Sequence, residues 1–245
     1  MIKKLTILWL VIFVTGCAAV KSSKPIPVDY KYAAPVKIGY ISMISEKPAH
    51  SHIGLTVFGN FEKDLEVSWH LNEFIFQTLA SEMKTQKGYE LVNLSAMNGA
   101  ELFYENPNLL QTKGDFRVIN DAELKGIINK IGSSDLDAII IIRSPKLFYN
   151  AGFQRLEESR GRPGDHGFKS RALEGVTFNS MFAINMFSIM PKSHFFGGDF
   201  IGLAGKVSPE PADYEKITNQ ELANYESQLK NTIKSRIASF VLKMP

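Results

Sequence analysis

The chain has 245 residues, 44 % hydrophobic and 22 % charged, with 28 Lys and Arg against 25 Asp and Glu. A formal charge of +3 carries none of the basic excess that marks nucleic-acid binding. The single cysteine, Cys17, excludes intrachain disulfides, and the length suits one domain with a substantial core.

Lys3 and Lys4 precede LTILWLVIFV, residues Leu5–Val14, in which Thr6 is the only polar side chain. As a helix this run is about 15 Å long. That is half of a bilayer core of roughly 30 Å, so the run fits a secretory signal peptide and not a membrane span. It ends in Val14-Thr15-Gly16-Cys17. This stretch resembles the lipobox of bacterial lipoproteins, in which an aliphatic residue and two small ones precede cysteine. The resemblance implies that Val14, Thr15 and Gly16 are read by the signal peptidase. It further implies that Cys17 carries a diacylglyceryl thioether, and that its freed α-amino group is acylated, with palmitate as the typical chain. Such an anchor gains about 0.8 kcal/mol per buried methylene. Ala18 and Ala19 lack the aspartate that resembles an inner-membrane retention signal, which points to the outer membrane, facing the periplasm. The other reading of Cys17, a free thiol in an exported protein, leaves a reactive group exposed. Loss of Lys3 and Lys4 with the leader lowers the formal charge from +3 to +1.

The expected organisation is a signal peptide over 1–16, a lipidated N-terminus and tether over 17–35, and one globular domain over 36–245. The tether is rich in Pro, Ser, Lys and Ala. Val36–Ser45 alternates as a strand, EKPAHSH follows as a loop, and Ile53–Val67 reads as a second strand bulged near Gly59. Ser68 stands as the N-cap of a helix whose face is Leu71, Ile75, Leu79 and Met83, ending near Gly88. Tyr89–Leu94 is a short strand, and 95–119 is mostly loop. Asn120–Glu123 resembles a capping box for a short helix closed by Gly132. Leu136–Arg143, LDAIIIIR, is the strand most suited to burial on both faces. Residues 150–175 read as a charged loop, and 176–207 as a long hairpin. A terminal helix follows over about 219–243, opened by a capping box at Thr218–Glu221. Its stripe is Leu222, Tyr225, Leu229, Ile233, Ile237 and Phe240.

The order β-β-α-β-α-β-β-β-α predicts an α+β fold with α/β character: a mixed sheet with packed helices, a long β-hairpin and a C-terminal helix. With its LDAIIII strand, this order resembles the N-terminal domain of TolB and the periplasmic part of CsgG-like envelope lipoproteins. That resemblance implies a role in envelope assembly or secretion, without hydrolytic chemistry.

Few residues suggest chemistry. His50 and His52 project to one side of an extended segment, a spacing that can clip a metal, but a catalytic zinc needs a third ligand. Asp165, His166 and His194 are the candidates for it, and the alternative is two solvated loop histidines. Arg155, Arg160, Arg162, Asp165 and His166 populate the 150–175 loop. They read as a charge-balanced tip, a partner-binding loop, or an anion site around Gly161. The glycines at 197, 198 and 202 do not have phosphate-loop spacing, and GxSxG, P-loop, HExxH and EF-hand patterns are absent. No catalytic residue, cofactor or metal is therefore assigned. The expectation is a non-enzymatic, protein-binding or assembly component of the envelope. Its partners would be the membrane through Cys17 and an envelope protein or a second copy, with no nucleic acid; hairpin 176–207 and loop 150–175 are the expected contact surfaces. The alternative is a periplasmic enzyme or a small-ligand or metal binder.

Overall fold

A computed structural model describes residues 24–25, 31–106, 109–113, 116–133, 135–143, 166–189, 194–213 and 215–245. The chain begins with strands β1 (Lys24–Pro25), β2 (Lys37–Ser42), β3 (Ala49–Ile53) and β4 (Phe61–Asp64). Helix α1 (Leu71–Lys87), strand β5 (Glu90–Asn93) and helix α2 (Glu101–Glu105) follow. Strands β6 (Leu110–Lys113) and β7 (Phe116–Ile119) form a separate hairpin ahead of helix α3 (Asp121–Lys130). The C-terminal half holds β8 (Ala138–Arg143), β9 (Gly167–Arg171), β10 (Gly175–Ser188), β11 (His194–Lys206) and helix α4 (Asn219–Lys243).

Strand β10 organises the nine-stranded sheet. Along one edge it pairs antiparallel with β11, from Thr177↔Lys206 to Ser188↔His194, with a bulge between Ile184 and Asn185. Along the other edge it carries two short strands end to end. β9 pairs with Gly175–Phe178, and β8 pairs with Ala183–Ser188. Each starts a branch. β8 leads to the parallel strands β2 and β5, while β9 leads to the parallel β3 and then the antiparallel β4. The fold is α+β: a mixed sheet with packed helices, a long hairpin and a C-terminal helix.

Strand alternation divides the core into two layers. Ile38, Tyr40, Ala138, Ile140 and Ile142 face one side, where Leu71, Ile75, Leu79 and Met83 of α1 and the Leu222–Phe240 stripe of α4 cover them. Ile41, Ile139 and Ile141 face the other side, against Phe103 of α2 and Leu124, Ile127 and Ile128 of α3. A strand covered on both faces needs no polar alternation, which is why β8 reads AIIII. The helix ends follow ordinary chemistry. Gly88 closes α1 with φ 72, Asn120 accepts from the backbone N–H groups of Ala122 and Glu123, and Thr218 with Glu221 forms a full capping box.

Four expectations are corrected. The segment AHSHI is strand β3, not a loop, and it pairs with β9 and β4. GFKSR, placed in the charged loop, is strand β9. Residues 95–119 contain α2 and the β6–β7 hairpin. The N-cap of α1 is His70, at φ 48, and Ser68 instead accepts the His70 N–H at 3.4 Å.

β3 and β9 approach closely where Gly167 lies opposite Ala49. Gly167 has φ 132, and a Cβ there would stand 2.1 Å from the Ala49 carbonyl oxygen. The contact is with backbone, so no rotamer change relieves it. Gly167→Ala is expected to lose at least about 3 kcal/mol in urea unfolding. The exposed helical Gly126, whose Cβ would meet nothing within 4 Å, should instead gain up to about 1 kcal/mol as Gly126→Ala. Equal behaviour of the two variants would contradict this account of the β3–β9 junction.

Candidate functional site

The paired histidines of the sequence lie on β3, on its face toward α4. His50 and His52 are both buried, and both reach one hydroxyl. His50 Nε2 lies 2.8 Å and His52 Nδ1 2.7 Å from Ser170 Oγ of β9. Strand register explains the meeting, because His50↔Phe168 and His52↔Ser170 place all four side chains on one face. Phe61 of β4 closes the cluster. Its ring stacks on His52 and meets His50 edge-on, each with centroids 5.1 Å apart. Lys63 Nζ sits 4.9 Å over that ring and donates to the Glu215 carbonyl at 3.1 Å.

The pair is therefore not a solvated loop element. Each imidazole engages Ser170, and no group of three metal-ligating side chains occurs among the described residues. His166, expected on an exposed partner loop, is buried. Its ring stacks on Trp69 at 5.5 Å, and its Nε2 donates to the Ser45 carbonyl at 2.8 Å. His194 opens β11 opposite Ser188, ten β10 positions from Phe178, the partner of Phe168. At about 3.3 Å per residue this is roughly 33 Å from the His50 end of the sheet. Arg155, Arg160, Arg162 and Asp165 lie outside the described residues, as do Val14, Thr15, Gly16 and Cys17.

Burial is the first cause of a depressed His50 pKa, followed by the positive charge of Lys63 and by His52; together they push it down to about 4. An unfolded histidine takes up its proton near pH 6.5. This contribution to stability is thus complete above pH 6.5 and falls as the pH drops toward 4, by about 3 kcal/mol in all.

A second locus went unread in the sequence. Ser42 ends β2 and Asn93 ends the neighbouring parallel strand β5, and α1 begins beside them. With Tyr40, Glu46, Asn72, Glu73 and Ser95 they line a crevice of about 240 Å³, with no lysine or arginine among the described lining residues. Asn72 organises it. Its carboxamide oxygen accepts from Ser42 Oγ, and its Nδ2 donates to the Ile44 carbonyl at 3.1 Å and to Glu46 Oε1 at 2.5 Å. The chain leaves β2 toward β5 on one side and returns to β8 on the other, the topology at which open α/β sheets hold small ligands.

A third locus is the end of the β9 branch. Leu55 is 78 %, Phe58 96 % and Leu173 90 % exposed. They occupy two adjacent loops joined by the Ala172 N–H to Ile53 carbonyl bond. Leu173 holds φ 73, a left-handed conformation that costs a leucine about 1–2 kcal/mol. The second core layer stops at the β8 branch. On the same face of the β9 branch, Lys169, Arg171, Thr177 and Lys206 line an open groove of about 560 Å³. Of the hairpin expected as a contact surface, strand β10 is largely interior: Phe178, Phe182, Ile184, Met186 and Phe187 are all buried. Among the described residues, the outer edge of β11 is paired only at His194 and Phe195, by β1.

Comparison with protein-family models, with curated proteins and with solved structures finds no match. No helix among the described residues is long and apolar enough to cross a membrane.

Two measurements probe the histidine cluster. Ser170→Ala removes the shared hydroxyl and should cost about 1–3 kcal/mol at pH 7.5. His50→Phe should flatten the decline in unfolding free energy between pH 7 and 4 relative to the unaltered chain. An unchanged slope would remove His50 as its source.

Proposed function

We propose that this chain is a lipid-anchored protein of the cell envelope that docks a protein partner and performs no catalysis. The anchor is Cys17 and the membrane is the outer one, with the body in the periplasm. The observation that carries the docking reading is the apolar end of the β9 branch, where Leu55, Phe58 and Leu173 stand almost wholly in solvent. Side chains of this size give anchor-residue contacts when a partner closes over them. Their placement supports the arrangement. β1, the described segment nearest Cys17, pairs at the His194 end of the hairpin, and the apolar loops lie at its Gly175 end. The 14 residues of β10 separate these ends by about 45 Å. A body fixed at one end thus presents its apolar loops at the other.

Each half of the proposal has its own test. Cys17→Ser should take up no labelled fatty acid and should accumulate uncleaved; normal acylation of that variant would overturn the anchor. A photoreactive residue at position 58 or 173 should cross-link to protein in intact cells, whereas one at the exposed Lys234 of α4 should not. The pair Phe58→Ser and Leu173→Gly should abolish the function that the cross-linked partner supports. Absence of cross-links at both positions would overturn the docking surface.

The crevice at the ends of β2 and β5 favours a second reading, a small hydrogen-bonding ligand held by Ser42, Asn72, Asn93 and Ser95. A thermal-shift screen with polar metabolites, repeated on Asn93→Leu, discriminates it. A stabilising ligand that Asn93→Leu no longer binds supports this reading, and no stabilisation by any compound defeats it.

A further inference from the structure

The sequence contains one Asn-Gly step, Asn98-Gly99, and no Asp-Gly step. In such a step the main-chain nitrogen readily attacks the carboxamide before it, because glycine has no Cβ to crowd that nitrogen. A folded chain suppresses the attack by hydrogen-bonding the attacking N–H or by burying the carboxamide. Neither protection operates at Asn98.

The step lies in the turn between β5 and α2, and its neighbours are held. The Met97 N–H donates to the Leu94 carbonyl at 3.0 Å, the Ala100 N–H to the Met97 carbonyl at 3.1 Å, and the Leu102 N–H to the Gly99 carbonyl at 3.1 Å. Among the described residues no acceptor takes the Gly99 N–H, and the exposed Asn98 carboxamide makes no hydrogen bond. Gly99 holds φ 92, a left-handed conformation open to glycine at no steric cost. Asn231 of α4 is the contrast. It is equally exposed, but the N–H of the following Thr232 lies inside the helix ladder.

We propose that Asn98 is a site of spontaneous covalent modification, at which the Gly99 nitrogen converts the carboxamide to aspartate and isoaspartate. Hydroxide takes the Gly99 N–H proton, and the nitrogen forms a bond to Asn98 Cγ. The Cγ–Nδ2 bond breaks, and ammonia leaves with a proton returned by water. Water then opens the five-membered succinimide. Attack at Cγ gives aspartate, and attack at the main-chain carbonyl carbon gives isoaspartate. The sum is amide and water going to carboxylate and ammonium, with no change of oxidation state.

The position of the turn gives the modification its effect. Ser95 and Ala96 line the crevice at the ends of β2 and β5. On the other side of Asn98 the turn is pinned to the second core layer. Ser133 Oγ donates to the Met97 sulfur at 3.3 Å, a Cβ on Gly99 would stand 3.2 Å from Ile131 Cγ2, and Ala100 is buried. Isoaspartate routes the main chain through Cβ and so adds one carbon between Met97 and Ala100. Both anchors cannot then keep their places, and the crevice wall at Ser95 and Ala96 shifts. Aspartate keeps the main chain as it is and adds one negative charge to the turn. The site depends on neither functional reading above, because it stands on the geometry of the turn alone.

Ageing of the full chain at pH 8.5 and at pH 6.0 tests it, with peptide mass spectrometry and electron-transfer fragmentation as the readout. Peptides that contain Asn98 should gain one mass unit, as both aspartate and isoaspartate, and faster at pH 8.5. Conversion at Asn98 should outpace that at Asn231 at least about tenfold, since only the first has an unbonded nitrogen beside its carboxamide. Asn98→Gln replaces an exposed side chain without partners and must close a larger ring, so position 98 should then convert at least about tenfold more slowly. After ageing, the unaltered chain should show a second, lower unfolding transition that aged Asn98→Gln lacks. No mass gain at Asn98, conversion no faster than at Asn231, equal rates at the two pH values, or an undiminished rate in Asn98→Gln would overturn the proposal. A single unchanged unfolding transition in the converted chain would overturn its effect on the turn.

Discussion

One long strand forced to share an edge between two short ones shapes this molecule. β10 has 14 residues, and β11 matches it on one side, but on the other side β8 and β9 stand end to end. Among the described residues, nothing pairs with β10 between residues 178 and 183 on that edge, and the described sheet divides there. The division must be filled without leaving backbone groups bare. Ser180 Oγ accepts the Gly167 N–H at 3.0 Å, and the stacked Trp69 and His166 occupy the junction beside Phe182. Two of the buried polar side chains, Ser180 and His166, thus sit where the described hydrogen-bond ladder breaks.

The two branches then follow different physics. The β8 branch is a parallel three-stranded unit between helices, and its stability comes from aliphatic packing on both faces. Among the described residues the β9 branch is helix-covered on one face only, and part of its interior is imidazole and hydroxyl. A buried polar cluster contributes little net stability compared with an apolar core of the same volume. It does enforce one register, because a shifted strand would leave its partners unmet. In β3 the requirement is sharp, since a slip by one residue would move His50 and His52 to the opposite face.

How much of this could be read in the sequence depended on the kind of periodicity each element carries. α1, α3, β8 and α4 declare themselves through apolar stripes and caps, and the α+β class followed from them. β3 and β9 did not, because their inward residues are His50, His52, Phe168 and Ser170, and three of these four count as polar in any hydropathy pattern. Pro48 and the charges around β9 strengthened the loop reading. The chemistry of the site was half legible: the two histidines were singled out, but Ser170, some 120 residues away, was not. Its role exists only through the β3–β9 register. The crevice at Ser42 and Asn93 was invisible for a related reason. It is produced by two strand ends becoming neighbours, and neither segment is unusual alone. The apolar loop ends carry no signal either, since an isolated Leu or Phe in a sequence does not report exposure.

The two residue pairs that join β1 to β11 have a mechanical consequence. β1 runs parallel to β11, so a pull on its N-terminal end acts along the strand axis and loads those pairs in shear. Two pairs resist little, and they part first. The pull then reaches β2, which lies between β5 and β8 with all three strands aligned, and whose side chains are locked between helices on both faces. In that arrangement many bonds share the load at once. The first described element is therefore a weak link in series with a strong one, so tension would straighten a few residues of chain before any strand of the central sheet yields.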